Sequence, residues 1–133
     1  MIIVMNKIIW ISSYPKSGNT WMRYLIANYF FNSERIFDQK IIKIIKKFPI
    51  HNLIEKIATK KELIENPYNI SKYWIKSQEL IKVLKGNVVF LKNHNALVSI
   101  NKKDFTNENH SLASIYIVRD PRDVVVSYAK FKN

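Results

Sequence analysis

Apolar, mostly β-branched residues gather in three short runs along the chain: Lys7 to Ile11, Val88 to Leu91 and Ala113 to Val118. Runs of this length and composition predict buried strands rather than helices. Each gives way to a polar loop, and after the first and third loops the period changes. Asn19 to Phe31 places Trp21, Tyr24, Leu25 and Tyr29 at helical spacing, and Pro121 to Phe131 reads the same way. The intervening chain is also helical in pattern. Asp38 to Phe48 sets Ile41, Ile44, Ile45 and Phe48 against Lys40, Lys43, Lys46 and Lys47, and Ser71 to Leu84 repeats the theme with Tyr73, Trp74, Leu80, Ile81 and Leu84. Strand, helix, helices, strand, strand, helix predicts an α/β protein whose sheet lies under helical cover. Ligands of such sheets gather at the carboxyl ends of the strands, where the polar loops fall.

Length and charge narrow the picture. A chain of 133 residues with two glycines, four prolines and no internal repeat is expected to be one domain, residues 1–133. Lys and Arg number 22 against 10 Asp and Glu, a formal charge of +12 that favours anionic ligands without choosing among nucleotide, nucleic acid and acidic lipid. The basic Asp38–Phe48 segment has the pattern of an ordinary surface helix, apolar side on the sheet and lysines in water. Neither a nucleic-acid partner nor a membrane-surface role is therefore expected.

The absence of cysteine excludes disulfides, thiolate metal sites and thiol nucleophiles. His51, His94 and His110 show no ligand spacing, so no metal is expected, and His51 and His110 read as surface residues. The apolar start from Met1 to Ile11 is too short to span a bilayer and is interrupted by Asn6 and Lys7. It also lacks the leading charge and cleavage site of a signal peptide. A soluble, cytoplasmic protein is the expectation.

Three loops carry chemistry. Tyr14-Pro15-Lys16-Ser17-Gly18-Asn19-Thr20-Trp21 joins the first strand to a helix. Gly18 allows close backbone approach, the helix start offers unpaired N–H groups, and Lys16, Ser17, Asn19 and Thr20 add donors. This is a phosphate cradle by chemistry, although the lysine precedes the glycine and the Walker pattern is absent. A plain helix cap by Ser17 or Asn19 would need one such residue and no lysine.

Lys92-Asn93-His94 follows the second strand, where a histidine can take a proton near neutral pH and a lysine can hold developing negative charge. An ordinary polar loop with a solvated histidine explains the same residues. The third loop, Arg119-Asp120-Pro121-Arg122-Asp123, reads partly as helix capping, with Asp120 as the cap, Pro121 first in the helix and Asp123 closing a capping box. Capping does not call for Arg119 at the strand end or Ser127 two turns into the helix, and an arginine there suits bidentate phosphate recognition.

Taken together and in this order, these residues resemble the sulfotransferase family that uses 3′-phosphoadenosine 5′-phosphosulfate (PAPS). Tyr14 to Trp21 is similar to its 5′-phosphosulfate loop, Y-P-K-S-G-T-T-W, with Asn19 replacing a threonine. Lys92-Asn93-His94 is similar to its K-T-H segment, and Arg119 to Tyr128 to its 3′-phosphate motif, R-[ND]-P-[KR]-D-V-x-V-S-Y.

The resemblance implies a P-loop-NTPase-like three-layer sandwich with a mostly parallel sheet. It implies that Lys16, Ser17, Gly18, Asn19 and Thr20 hold the 5′-phosphosulfate, that Trp21 packs on adenine, and that Arg119 and Ser127 bind the 3′-phosphate. It implies His94 as general base toward an acceptor hydroxyl or amine, with Lys16 and Lys92 stabilising charge and no metal taking part. Asn19 is expected to donate through its amide.

Family members continue well beyond the position matching Asn133, with a basic, glycine-containing segment that this sequence lacks. The expectation is therefore a domain truncated at its C-terminus, with an incomplete sheet. A homo-oligomer or a complementing C-terminal chain could supply the remainder. The alternative is a non-catalytic remnant that keeps an anion-binding loop. An unfinished sheet leaves an unpaired edge and apolar surface, so marginal stability or self-association is expected of the isolated chain.

Overall fold

Residues of the first apolar run alternate between two cores. Ile8 and Trp10 belong to one buried cluster and Ile11 to the other, as the two-residue repeat of a strand covered on both faces requires. The computed structural model describes residues 7–81 and 88–132. In chain order, the regular elements are β1 (Lys7–Ser13), α1 (Asn19–Phe31), a 3-10 turn (Lys40–Ile44), β2 (Lys46–Lys47), α2 (His51–Ile54) and α3 (Lys60–Glu65). A second 3-10 segment (Pro67–Tyr73), α4 (Trp74–Glu79), β3 (Val88–Asn93), β4 (Ser99–Ile100), β5 (Lys103–Asp104), β6 (Ser111–Ile117) and α5 (Pro121–Lys132) follow.

The main sheet is four-stranded and parallel, in the order β2-β3-β1-β6, with β4 and β5 forming a separate two-residue antiparallel pair. The central strand β1 pairs along one edge with β3 and along the other with β6. One face is covered by α1, through Ile26 and Ala27 packed with Ile11 and Ile45. The other face is an aromatic core in which Trp10 meets Phe48 at 5.3 Å and Phe105 at 5.0 Å, and Phe105 meets Trp74 at 5.4 Å. Edge-on geometries of this kind suit the ring quadrupoles and fix the loops that carry the rings. A parallel sheet with cover on both faces is the expected α/β, P-loop-like arrangement.

Two expected helices differ from the expectation. Asp38–Phe48 is a 3-10 turn followed by β2, not an α-helix. Ile45 enters the α1-side core while Phe48, three residues on, enters the aromatic core. Residues three apart share one side of a helix but reach opposite faces in extended chain, and Pro49 disfavours helix at Phe48. Pairing of Lys46 and Lys47 with Leu91 and Lys92 supplies the backbone partners that the helix would have provided.

The Ser71–Leu84 helix is likewise a 3-10 segment leading into the short α4. Asn66 caps that segment through the N–H of Tyr68 at 2.9 Å, with Pro67 at its start. Trp74 and Ile81 are buried as expected, whereas Leu80 is exposed. The expectations for Met1 to Asn6 and for residues 82–84 lie outside the described residues.

Among the described residues β6 has a strand partner on one side only, and Leu112, Tyr116 and Val118 are exposed, as are Val125, Val126 and Phe131 of α5. No helix among the described residues is long and apolar enough to cross a membrane.

Because Ile11 is fully buried between the sheet and α1, truncation there opens a cavity in the layer that holds α1 in place. Ile11→Ala is expected to lower stability by about 2–5 kcal/mol in a urea unfolding series. A loss below about 1 kcal/mol would show that this layer is not the structural core described.

Candidate active site

The carboxyl ends of β1, β3 and β6 lie side by side because the strands are parallel and in register. Ser12 of β1 stands opposite Asn93 of β3 and Tyr116 of β6, and Ser13 stands opposite Ile117. The loops after these strands, carrying Lys16–Trp21, His94 and Arg119, therefore converge on one edge. The chain leaves β1 toward β3 on one side and later returns to β6 on the other, which makes β1 the switch point where α/β sheets take ligands.

The β1–α1 loop is built for exposed backbone donors. Ser17 N–H donates to the Tyr14 carbonyl at 3.3 Å, with Pro15 second and Lys16 third in the turn, and Lys16 has φ 67°. This is the type II pattern, with proline at the second position and positive φ at the third. Gly18 has φ 106° and occupies the N-cap position of α1 with no side-chain cap. A Cβ at Gly18 would meet only the Ile117 methyl at 4.0 Å, so the positive φ, rather than crowding, calls for glycine.

Neither Ser17 nor Asn19 caps the helix. Among the described residues nothing accepts from the N–H groups of Gly18, Asn19, Thr20 and Trp21, which sit at the positive end of the helix dipole.

Side chains around this loop divide into two sets. Asn19 is buried and turned inward. Its amide donates to the Ile11 carbonyl at 2.9 Å and to Ser13 Oγ at 3.1 Å, so both amide hydrogens are engaged. Asn19 thus ties α1 to the end of β1 and leaves only its backbone N–H for a ligand.

Lys16, Thr20 and Trp21 face outward. Lys16 Nζ rests 4.3 Å from the Phe131 ring centroid, and Trp21 is 72% exposed, a bare aromatic surface beside the loop. Arg119 donates to the Lys16 carbonyl at 3.2 Å and lies 3.8 Å from Asp123, which brings the β6 end onto the β1 loop. Asp120 caps α5 by accepting from Arg122 N–H at 2.9 Å, as expected, but Asp123 turns to Arg119 instead of closing a capping box. Ser127 lies one helical turn before Phe131 and so on the face of α5 that meets Lys16.

His94 is oriented by the neighbouring strand. Its Nδ1 lies 2.7 Å from the Ser13 carbonyl, which can only accept, so Nδ1 carries the proton and Nε2 keeps its lone pair. Ser13 Oγ lies 3.4 Å from the same nitrogen. Burial pushes the imidazole below its ordinary value. The bond to Ser13 opposes this, and the charges of Lys92 and Lys47 add to it. The Lys92 ammonium is also held down, first by burial and then by Arg23 and Lys47. Asn93 points the other way. It donates to Ser12 Oγ at 2.9 Å and accepts from Asn95 N–H at 3.1 Å, which fixes the strand end between Lys92 and His94.

Two residues escaped the sequence reading. Lys47 is exposed, as expected of a solvated lysine, but its backbone pairing opposite Lys92 also places it at the site edge. Arg23 donates to the Ile45 carbonyl at 2.7 Å and the Ile42 carbonyl at 3.3 Å, and so anchors the segment that leads into β2. Helical spacing showed that Arg23 follows the phosphate loop, but not what it reaches.

The two remaining histidines lie elsewhere. His51 is exposed, as expected. His110 is buried rather than on the surface, because its carbonyl accepts from Ile8 N–H at 2.7 Å at the opposite end of the sheet and its ring lies 3.9 Å from Glu79. Among the described residues no cluster of three or more metal-ligating side chains occurs.

An N–H-lined loop, a lysine and an arginine beside it, and a histidine with a free nitrogen thus lie at one end of the sheet. A sequence profile for the sulfotransferase domain matches residues 6–133, and the chain belongs to that family. The family transfers sulfuryl groups, generally from PAPS. No curated protein matches the chain.

Given the causes acting on His94, its ring should titrate below the ordinary imidazole value of about 6.5. It would then be neutral through physiological pH. An NMR pH titration of the His94 ring protons checks this, and a midpoint above the ordinary value would contradict the burial described.

Proposed function

We propose that this protein binds PAPS at the β1–α1 loop and transfers its sulfuryl group to a hydroxyl or amine acceptor, with His94 as general base. The observation that carries the reading is the pairing of two features at one edge of the sheet. Four unpartnered N–H groups lie at a helix start, and His94 has its Nδ1 donated away and its Nε2 free. Capping alone explains neither.

The residues fit the donor. The N–H groups of Gly18, Asn19, Thr20 and Trp21, with the Ser17 and Thr20 hydroxyls and the Lys16 ammonium, would hold the 5′-phosphosulfate. Arg119 and Ser127 would take the 3′-phosphate, and the exposed Trp21 ring would stack on adenine.

In the transfer, the acceptor oxygen or nitrogen attacks sulfur in line and forms the new bond to it, while its proton passes to His94 Nε2. The bond from sulfur to the bridging oxygen breaks, and its electron pair leaves on 3′-phosphoadenosine 5′-phosphate. Lys16 and Lys92 would stabilise the negative charge growing on the transferring group and that oxygen. The protein's contribution is positioning and electrostatics, as in phosphoryl transfer.

Calorimetric titration with 3′-phosphoadenosine 5′-phosphate tests the donor site. Lys16→Ala and Arg119→Ala are each expected to weaken binding about tenfold or more, as loss of a charge-assisted contact implies. No binding to a folded chain would overturn the donor reading.

His94→Gln tests the base separately. It should leave the protein folded and lower the rate of sulfuryl transfer from labelled PAPS by about 10²-fold or more. Donor binding without turnover in the unmodified chain would leave an anion-binding protein and remove His94 from catalysis.

A further inference from the structure

Beyond His94, on the side away from Arg119, the sheet continues to β2, and there the charge distribution is one-sided. Lys47 stands opposite Lys92 in parallel register, so both side chains leave the same face of the sheet, and Phe48 N–H donates to the Lys92 carbonyl at 2.8 Å. Arg23 reaches this face from α1 and clasps the Ile42 and Ile45 carbonyls just before β2. Among the described residues no carboxylate pairs with Arg23, Lys47 or Lys92. The acidic groups near the site, Asp120 and Asp123, lie at the β6 end and pair with Arg122 and Arg119. Like charges held together without counter-charge repel one another, and an anionic ligand beside them would relieve that repulsion.

The donor's anionic groups are accounted for elsewhere. In the proposed reading they take the β1 loop and the β6 end, with Lys92 serving the transferring group, which leaves Lys47 at the β2 edge to the acceptor. We infer that Lys47 forms an acid-binding subsite beside Lys92 and His94, and that the acceptor carries a carboxylate or sulfate near the hydroxyl or amine that is modified. This inference rests on the proposed sulfuryl transfer and names the substrate class of the same site. Lys47 here is a specificity residue that touches the acceptor's acidic group, and Arg23 is a positioning residue that holds the β2 segment against β3.

The charge on the acceptor would also serve the chemistry. Neutralising Lys47 removes one of the positive charges that disfavour a proton on His94, so the base becomes stronger when the acceptor is in place.

The test uses glucuronate and glucose, matched in hydroxyl groups and differing in the carboxylate. Amide NMR spectra of the full chain are followed as each is added. Glucuronate is expected to shift residues 46–48 and 92–94 in a saturable way, and glucose is expected to leave them unmoved. Lys47→Gln should weaken the glucuronate response about tenfold or more, Lys47→Arg should retain it, and Lys46→Gln, on the opposite face, should leave it intact. Equal responses to both sugars, no response to glucuronate, or an unchanged response in Lys47→Gln would each overturn the inference. Titration of the same sample with 3′-phosphoadenosine 5′-phosphate reads the donor site independently. Failure there, with the glucuronate response present, would sink the donor reading and leave the acid-binding subsite standing.

Discussion

Parallel pairing of β1 on both edges is the constraint from which the rest of this structure follows. A parallel strand sends its carboxyl end to the same side as those of its neighbours, so the loops after β1, β3 and β6 meet although Ser13, Asn93 and Ile117 are far apart in sequence. Such a sheet must be covered on both faces. Here α1 closes one face and the Trp10–Phe48–Phe105–Trp74 aromatic core closes the other. The same pairing brings the Ser13 carbonyl to His94 Nδ1 and thereby sets which ring nitrogen is free. The sheet register thus reaches down to the tautomer of one imidazole.

In the proposed reading, anion recognition depends on donors that the fold leaves without partners. Gly18 occupies the cap position with no side chain to offer, so the first N–H groups of α1 stay open. Asn19, which could have capped, is drawn inward by Ile11 and Ser13. Lys16 on the loop and Arg119 from β6 lie beside these donors, and Lys92 and Lys47 stand at the β2–β3 end next to His94. Burial and the charges of Arg23 and Lys47 disfavour the Lys92 ammonium, and in the proposed reading a ligand of opposite charge would relieve this.

Much of this was legible in the sequence because the signals are local. Apolar runs of strand length, a period change after Gly18 and after Pro121, and capping chemistry at Asp120 each concern a few neighbouring residues. They placed β1, α1, β3, β6 and α5 to within two residues at each end. The expected helix at Asp38–Phe48 failed because its apolar spacing fits a helix equally well as a bend between two cores. The choice was made by Ile45 packing with Ile11, Ile26 and Ala27 and by Phe48 packing with Trp10, Trp74 and Phe105, none of them a neighbour in sequence. His110 was misplaced for the same reason, since its burial arises from closing the amino end of β1 rather than from its polar neighbours.

What the sequence by itself determined is the identity of the chemical groups and the loop geometry that holds them: a lysine and a glycine with positive φ ahead of a helix, a histidine and an arginine at strand ends. These follow from short-range sterics and hydrogen bonding, which neighbouring residues settle among themselves. Only the tertiary structure decided that Asn19 faces inward, that His94 donates through Nδ1, that Arg119 reaches the Lys16 carbonyl, and that Lys47 stands beside Lys92. Each of these depends on strand order and register, and strand pairing is set by which distant apolar faces can be buried together.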